Sequence, residues 1–387
     1  MAHRTRYAED MRIDFAQSER STIGVEWEVV VVDRETRAPV PRADELADAL
    51  EGTPEHRRLS KELLRNTVEI VTGVHHRVEG ALAEIDDVAQ ALRRQADRRD
   101  LGILCAGTHP FAKACEQEYT HNERYQKLID RTQWWGRLMS IYGLHVHVGI
   151  DSVDKAMPML NALLYYLPHL QALSASSPWW EGVNTGYASN RAMMFRQLPT
   201  AGLPVQYPDW SGFEEYATGA LKTGVIEDLN EIRWDVRPAP RFGTLESRIA
   251  DGVPTLLEIG ALTAFTQCAV DDLNQRLSDG ETFDALPSWV VRENKWRAGR
   301  YGLPTVFIAD SDLNERSVVE DTWRLLEQWQ PVARRLGCER QLADVETIIR
   351  GGASYQRQLR VASRNNDDLT TVVDALVAEF DAGVPLP

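Results

Sequence analysis

Cysteine is scarce in this sequence: Cys105, Cys115, Cys268 and Cys338 are the only four, with no CxxC spacing and no histidine-rich motif beside them. That argues against a cysteine-held zinc framework and a disulfide-stapled scaffold, and it reads the four thiols as reduced, mostly packing residues. Long hydrophobic runs are absent, none approaching the roughly 20 residues that cross a bilayer. Met1–Arg20 is charged where a signal peptide would be apolar. The expectation is a cytoplasmic chain with no membrane partner. Positive charge is in short supply, 43 Lys and Arg against 58 Asp and Glu for a net charge of −15, which argues against nucleic-acid binding. A local cluster of arginines and metal ions can still reverse the field inside a cleft. There is no GxxxxGK segment followed by Ser or Thr, and no strand-linked GxGxxG segment, so neither a P-loop nor a dinucleotide-binding fold is indicated.

What the 387 residues do contain is acid placed inside apolar strands. Thr22–Asp33 reads as a buried strand, because Val25 and Val29–Val32 form a β-branched run closed by Asp33. Side chains alternate along a strand, so Glu26 and Glu28 share one face. Two carboxylates there repel each other unless cations neutralise them, and Mg²⁺ or Mn²⁺ is the simplest neutraliser for oxygen ligands. A second acid, Glu69, lies within the strand-like Val68–Val71, with Glu62 on a preceding element. The alternative there is an edge strand with Glu69 facing solvent. In Tyr142–Ile150 the alternation is strict, so His145 and His147 share a face, able to bind a metal or hold phosphate oxygens.

Between these blocks the pattern predicts helices over Val78–Arg99, Tyr125–Tyr142 (with Trp134 and Trp135 packing inward) and Val153–Ser174. Met1–Ser21 reads as a polar leader, Leu101–Thr108 as a short strand, Ser174–Gly182 as a loop able to line a cleft, and Leu198–Tyr216 as a long loop of the kind that forms lids. A helix is expected over Phe213–Gly224. Arg233–Asp251 reads as a β-hairpin with Arg233, Asp235 and Arg237 on one strand face and Glu246 and Arg248 on the other strand's face. Arginines at such positions suit a bidentate grip on phosphate or carboxylate. Thr255–Leu277 and Trp289–Tyr301 are further helices, most charges of the second expected in solvent, and residues 311–387 look like a helical C-terminal layer.

Four strand-borne glutamates, a histidine pair and several arginines describe an oxygen-rich, multi-metal site with anion clamps, suited to phosphoryl transfer. The blocks Gly24–Glu28, Thr67–Gly73, Gly143–Gly149, Ser189-Asn190-Arg191, and Trp234–Pro238 with Thr244–Arg248 stand in an order that resembles the bacterial carboxylate–amine ligases of the glutamate–cysteine ligase type 2 family, over about residues 22–310. The resemblance implies an α+β, glutamine synthetase-like catalytic fold, a curved antiparallel sheet forming a funnel flanked by helices. It also implies ATP-dependent formation of a γ-glutamyl amide from small-molecule substrates. Carried over by position, Glu26, Glu28, Glu69, His145 and Glu246, with Glu62, would be ligands for Mg²⁺ (or Mn²⁺). Arg191, Arg237 and Arg248 would be catalytic clamps, and His147 and Arg241 would join Arg191 and Arg237 at the nucleotide. Trp27 departs from relatives that have a third glutamate there, but its side chain falls on the opposite face. A homodimer is compatible with the chain. A guanido kinase-like phosphotransferase, a non-catalytic metal- or nucleotide-binding protein and a metallohydrolase are the alternatives.

Overall fold

A computed structural model describes residues 12–387, so the first part of the expected polar leader lies outside the described residues, and Arg12–Glu19 carries no regular element. Seven antiparallel strands form the main sheet in the order β2-β3-β1-β5-β9-β8, with β4 also paired to β1. They are β1 (Ile23–Asp33), β2 (Leu59–Lys61), β3 (Thr67–Val71), β4 (Leu101–Leu104), β5 (Leu144–Gly149), and, after a small ribbon of β6 (Trp179–Trp180) and β7 (Val183–Asn184), β8 (Val236–Ala239) and β9 (Thr244–Ser247). β1 is the spine. β3 runs along one edge of it, while β5 pairs with Ile23–Trp27 and β4 with Val30–Asp33 along the other.

Helices follow the strands in sequence: α1 (Ala43–Asp48), α2 (Val78–Asp97), α3 (Glu123–Thr132), α4 (Trp134–Arg137), α5 (Ala156–Leu163), α6 (Leu167–Ser174), α7 (Asn190–Phe195), α8 (Trp210–Thr223), α9 (Leu256–Ser278) and α10 (Ser288–Tyr301). A second ribbon, β10 (Val306–Ile308) with β11 (Glu315–Ser317), leads into α11 (Val318–Gln328), α12 (Gln330–Leu336), α13 (Glu339–Ala343), α14 (Val345–Gly351), α15 (Ser354–Arg364) and α16 (Leu369–Ala382).

Period-two alternation on β1 decides what each layer does. Ile23, Val25, Trp27, Val29 and Val31 face a core shared with α2 and α9. The other face is divided. At its far end Val30 and Val32 are buried with Leu104 beneath Val372, Val373 and Leu376 of α16. At its near end stand Gly24, Glu26 and Glu28, which no helix of that apolar cluster covers. The C-terminal helices thus seal one half of a strand face and leave the half that carries carboxylates. Trp27 is fully buried, stacks on Phe380 at 5.2 Å and donates its indole N–H to Val253 O at 3.0 Å. Arg357 of α15 ties the same layers together, donating to Glu379 of α16 (2.6 Å) and Glu258 of α9 (2.8 Å).

Several sequence expectations are corrected. Tyr125–Tyr142 is not one helix: Gln133, at φ 50°, separates α3 from α4, and the turn leaves Trp134 62% and Trp135 43% exposed instead of packed. Val153–Ser174 divides into a 3₁₀ turn, α5 and α6, because Pro168 has no N–H to carry a helix across Leu164–Tyr166. The loop expected to reach Tyr216 ends at Asp209, which caps α8 by accepting from Gly212 N–H. β8 begins only at Val236, so Arg233 and Asp235 precede the strand. Asp235 pairs at 2.6 Å with Lys295, a buried exception among the α10 charges, most of which were expected in solvent. Cys105, Cys268 and Cys338 are buried free thiols, whereas Cys115 is exposed. Among the described residues no helix is long and apolar enough to cross a membrane.

Trp27→Ala removes the largest side chain of this interface and orphans the Val253 carbonyl. It should lower stability by about 3–5 kcal/mol in urea unfolding; a loss below about 1 kcal/mol would show that the indole does not carry the packing of β1 on the C-terminal layer.

Candidate active site

The strand register assembles the site. Glu28 of β1 lies opposite Glu69 of β3, and Glu26 lies opposite His145 of β5. One step on, His147 lies opposite Glu246 of β9, which lies opposite Arg237 of β8. Glu62 directly follows β2, whose Ser60 pairs with Glu69. Because β3 sits between β2 and β1, Glu69 is on an interior strand and buried, which removes the solvent-facing edge alternative.

The contacts are close. His145 Nδ1 donates to Glu26 Oε2 at 2.9 Å, and His147 Nε2 meets Glu26 Oε1 at 3.2 Å while its Nδ1 meets Thr244 Oγ1 at 3.0 Å. Glu246, with no exposed surface, accepts from Arg237 Nε at 2.6 Å and from Arg248. Arg237 is further tied to the carbonyls of Asn230 (2.8 Å) and Ile232 (3.0 Å), so much of its donor set holds the hairpin. Glu28 accepts from Gly143 N–H. Arg191 is buried, makes no ion pair within 4.0 Å among the described residues, and has a guanidinium Nε without a partner. Arg241 is exposed at the rim, stacked over Phe242, whose ring meets the His147 ring edge-on at 5.6 Å.

Charge is unevenly spread. Burial, opposed by Arg248 and Arg237, leaves Glu246 far below the ordinary carboxylate range. Burial also works against Glu26, but hydrogen bonds from His145 and His147 outweigh it and hold that carboxyl low. At the other end Arg191, Arg248 and the Gly143 N–H offset burial only in part. Burial, reinforced by Glu62, pushes Glu28 up to about 8. Burial, with Glu62, Glu26 and Glu28 nearby, pushes Glu69 well up, and burial raises Glu62. Burial and the Arg248 cation hold His145 down to about 4, so it is a neutral imidazole at physiological pH. Burial opposes protonation of His147 as well, but Glu246 and Glu26 outweigh it and the net shift is upward.

These residues fit divalent cations. Ligand atoms of Glu26, His147 and Glu246, of Glu26, Glu69 and His145, and of Glu28, Glu62 and Glu69 each lie within 4.8 Å of one another. His145 Nε2 is buried without a hydrogen-bond partner, which leaves its lone pair available. Glu26, Glu28, Glu62, Glu69 and Glu246 stand among the guanidiniums of Arg191, Arg237 and Arg248, and the acids raised in pKa are those that no arginine grips among the described residues. Oxygen-rich donor sets of this kind suit Mg²⁺ or Mn²⁺. His147, read from the sequence as a nucleotide contact, also stands in one of the groups that could hold a cation. Sequence reasoning passed over Asp251, which is buried beneath the Ser174–Ser177 loop; its signal was an acid directly after the apolar pair Ile249-Ala250.

The sequence profile described as Glutamate-cysteine ligase family 2 matches residues 22–375, running well past the span of about 22–310 over which the sequence resemblance extends. A protein of Mycobacterium sp. (strain JLS), provisionally named glutamate–cysteine ligase 2-1, is 54% identical over 370 residues, 96% of this chain and 98% of its own. One of Nocardia farcinica, provisionally named glutamate–cysteine ligase 2-2, is 52% identical over 375 residues, 95% of this chain and 98% of its own. Among solved structures, the glutamate–cysteine ligase of Francisella tularensis in complex with AMP is similar with a TM-score of 0.67 at 13% identity, over 96% of this chain and 90% of that one. A bifunctional glutathione synthetase from Pasteurella multocida gives 0.66 at 15% identity, over 93% of this chain and 52% of that one.

The charge distribution predicts a pH dependence. Glu28 has an ordinary value of 4.5 and a folded value of about 8. The unfolded chain gives up that proton first, so the metal-free fold loses stability as pH rises through this window. His145, lowered from 6.5 to about 4, acts in the opposite sense only below 6.5. The decline is therefore read above that pH. Melting temperature with a chelator should fall between about pH 6.5 and 8, and saturating Mg²⁺ or Mn²⁺ should flatten the profile. A chelated protein with a flat profile would contradict the raised Glu28.

Proposed function

This chain belongs to glutamate–cysteine ligase family 2, and on that premise we propose that it joins the γ-carboxylate of glutamate to an amine through an acyl phosphate, on the sheet face that carries Glu26, Glu28, Glu69, His145, His147 and Glu246. It is an ATP-dependent carboxylate–amine ligase with the α+β, glutamine synthetase-like fold, its antiparallel sheet open and flanked by helices. The observation that supports the assignment of the site is the meeting of those side chains from β1, β3, β5 and β9 in three cation-sized groups beside buried arginines. We assign the catalytic unit to residues 22–310 and treat 311–387 as a helical layer on the same domain, which accords with Phe380 stacked on Trp27.

In the proposed reaction a substrate carboxylate oxygen attacks the γ-phosphorus of ATP, the bond to the β-phosphate oxygen breaks, and ADP leaves. The amine then attacks the acyl carbon, the C–O bond to phosphate breaks, and the nitrogen loses a proton. Divalent ions held by Glu26, Glu69 and His145, with Glu28 and Glu62 on one side and His147 and Glu246 on the other, would neutralise phosphate charge. Arg248, anchored by Glu246 and lying 3.5 Å from His145 Nδ1, presents fixed positive charge at the centre of the face. Fixed charge of this sort needs no reorganisation when negative charge develops on a transferring phosphoryl group. Arg237 braces Glu246 from behind, and Arg191 balances Glu28. Arg241 at the rim, next to His147 through Phe242, is assigned to the nucleotide. A cytoplasmic location and small-molecule partners accord with this chemistry.

Replacing Glu246 by Gln releases both arginines while keeping the side chain's shape. ADP release with glutamate and cysteine should fall about a hundredfold or more with the fold intact by circular dichroism. Undiminished turnover in Glu246→Gln would remove it from the site. Mass spectrometry of the wild-type product distinguishes the reaction classes: a γ-glutamyl amide supports the ligase, and a stable phosphorylated compound without amide supports a phosphotransferase.

A further inference from the structure

Asp251 is fully buried, carries a carboxylate and has no place in the chemistry above. Its Oδ2 accepts from Ser176 N–H (3.0 Å) and Ser177 Oγ (2.7 Å), and its Oδ1 accepts from Ser189 Oγ (2.8 Å). Its own N–H donates to Ser174 Oγ at 3.2 Å, and its backbone bridges to Gly143, the residue leading into β5. Gly107 leaves room for it, since a Cβ there would sit 2.7 Å from the carboxylate. The side chain and backbone of this one residue therefore gather the exit of β4, the start of β5, the serine loop and the start of α7. The serines are specific in what they hold: Ser177 Oγ, while donating to Asp251, accepts the backbone N–H of Arg191 at 3.0 Å. Beyond that point Arg191 reaches over Gly143, where any side chain would collide with the guanidinium, donates to Arg248 O at 3.3 Å and lies 5.5 Å from the Phe195 ring. No carboxylate grips this guanidinium among the described residues, and the opposing charges that act on it most strongly are Asp251 and then Glu28.

We propose that Asp251 is the positioning residue for Arg191, fixing through Ser177 and Ser189 where that buried cation stands beneath Glu28 and His145. The inference rests on the ligase reading only for its kinetic consequence. A buried carboxylate that accepts three hydrogen bonds defines a rigid point, and a cation left without a direct partner takes its place from whatever holds its backbone. Losing that point lets the guanidinium drift from Glu28, so charge balance at the reacting centre fails before the fold does.

The test compares Asp251→Asn, Arg191→Lys and the double variant by crystallography and steady-state kinetics. Glu379→Gln, which breaks a buried ion pair far from the site, serves as the control for simple destabilisation. Asp251→Asn should move the Arg191 guanidinium by more than about 0.5 Å, the tolerance of a preorganised site. It should also lower kcat/KM at least tenfold, and the double variant should be no more than about threefold worse than Arg191→Lys alone, because both changes remove one unit. Glu379→Gln should melt earlier yet keep kcat/KM within about twofold. An unmoved Arg191, or losses that multiply in the double variant, would overturn the proposal. If Asp251→Asn does not fold, Ser177→Ala decides in its place, with a smaller displacement in the same direction. A wild-type protein that makes no amide would defeat the ligase reading alone, since the position of Arg191 is read from the crystals.

Discussion

Negative charge gathered from several strands onto one part of one sheet face is the constraint on which this structure depends. Glu26, Glu28, Glu62, Glu69 and Glu246 converge where burial strips them of water, and carboxylates so placed repel unless protons, guanidiniums or metal ions intervene. The protein grips a carboxylate with guanidiniums at the β8–β9 end, where Arg237 and Arg248 hold Glu246, whereas Arg191 stands near Glu28 without pairing to it. At the Glu28–Glu62–Glu69 end it leaves the carboxyls raised in pKa, a donor set that fits a divalent cation.

The remaining architecture manages that load. β1 must be apolar on its odd face to be held by α2 and α9, and its even face must be closed wherever it carries no acid. The C-terminal helices do the closing, with α16 over Val30 and Val32, while Phe380 of the same helix stacks on Trp27 of the odd face. The buried Arg357–Glu258–Glu379 group is a fastening between α15, α9 and α16, and a buried ion pair of this kind specifies arrangement more than it adds stability. The helical layer reads as chemically silent in sequence because its work is to exclude water from the half of the strand next to the site.

Much of the site was legible because its chemistry follows the strand period. Glu26 with Glu28, and His145 with His147, share faces through local alternation alone, and each sits in a segment too apolar to tolerate an unmatched polar group. Arg191 and Lys295 were harder. An arginine at the start of a six-residue helix looks available to a ligand, and only the loops stacked against it show that it is buried. Lys295 lies on a helix whose other charges reach solvent, and its burial depends on Asp235, 60 positions away. Trp134 and Trp135 misled in the reverse sense, since aromatic pairs read as core until a positive φ at Gln133 turns them outward.

By itself the sequence determined which side chains share a face, where acids sit among valines, and that no P-loop or cysteine cluster competes for the role, because alternation and composition are properties of neighbouring residues. Tertiary structure alone decided the register that sets Glu28 against Glu69 and His147 against Glu246, the division of one strand face between α16 and the carboxylates, and the placing of Arg191 by the serine loop. Those depend on hydrogen bonds between segments far apart in the chain, whose partners no local pattern specifies.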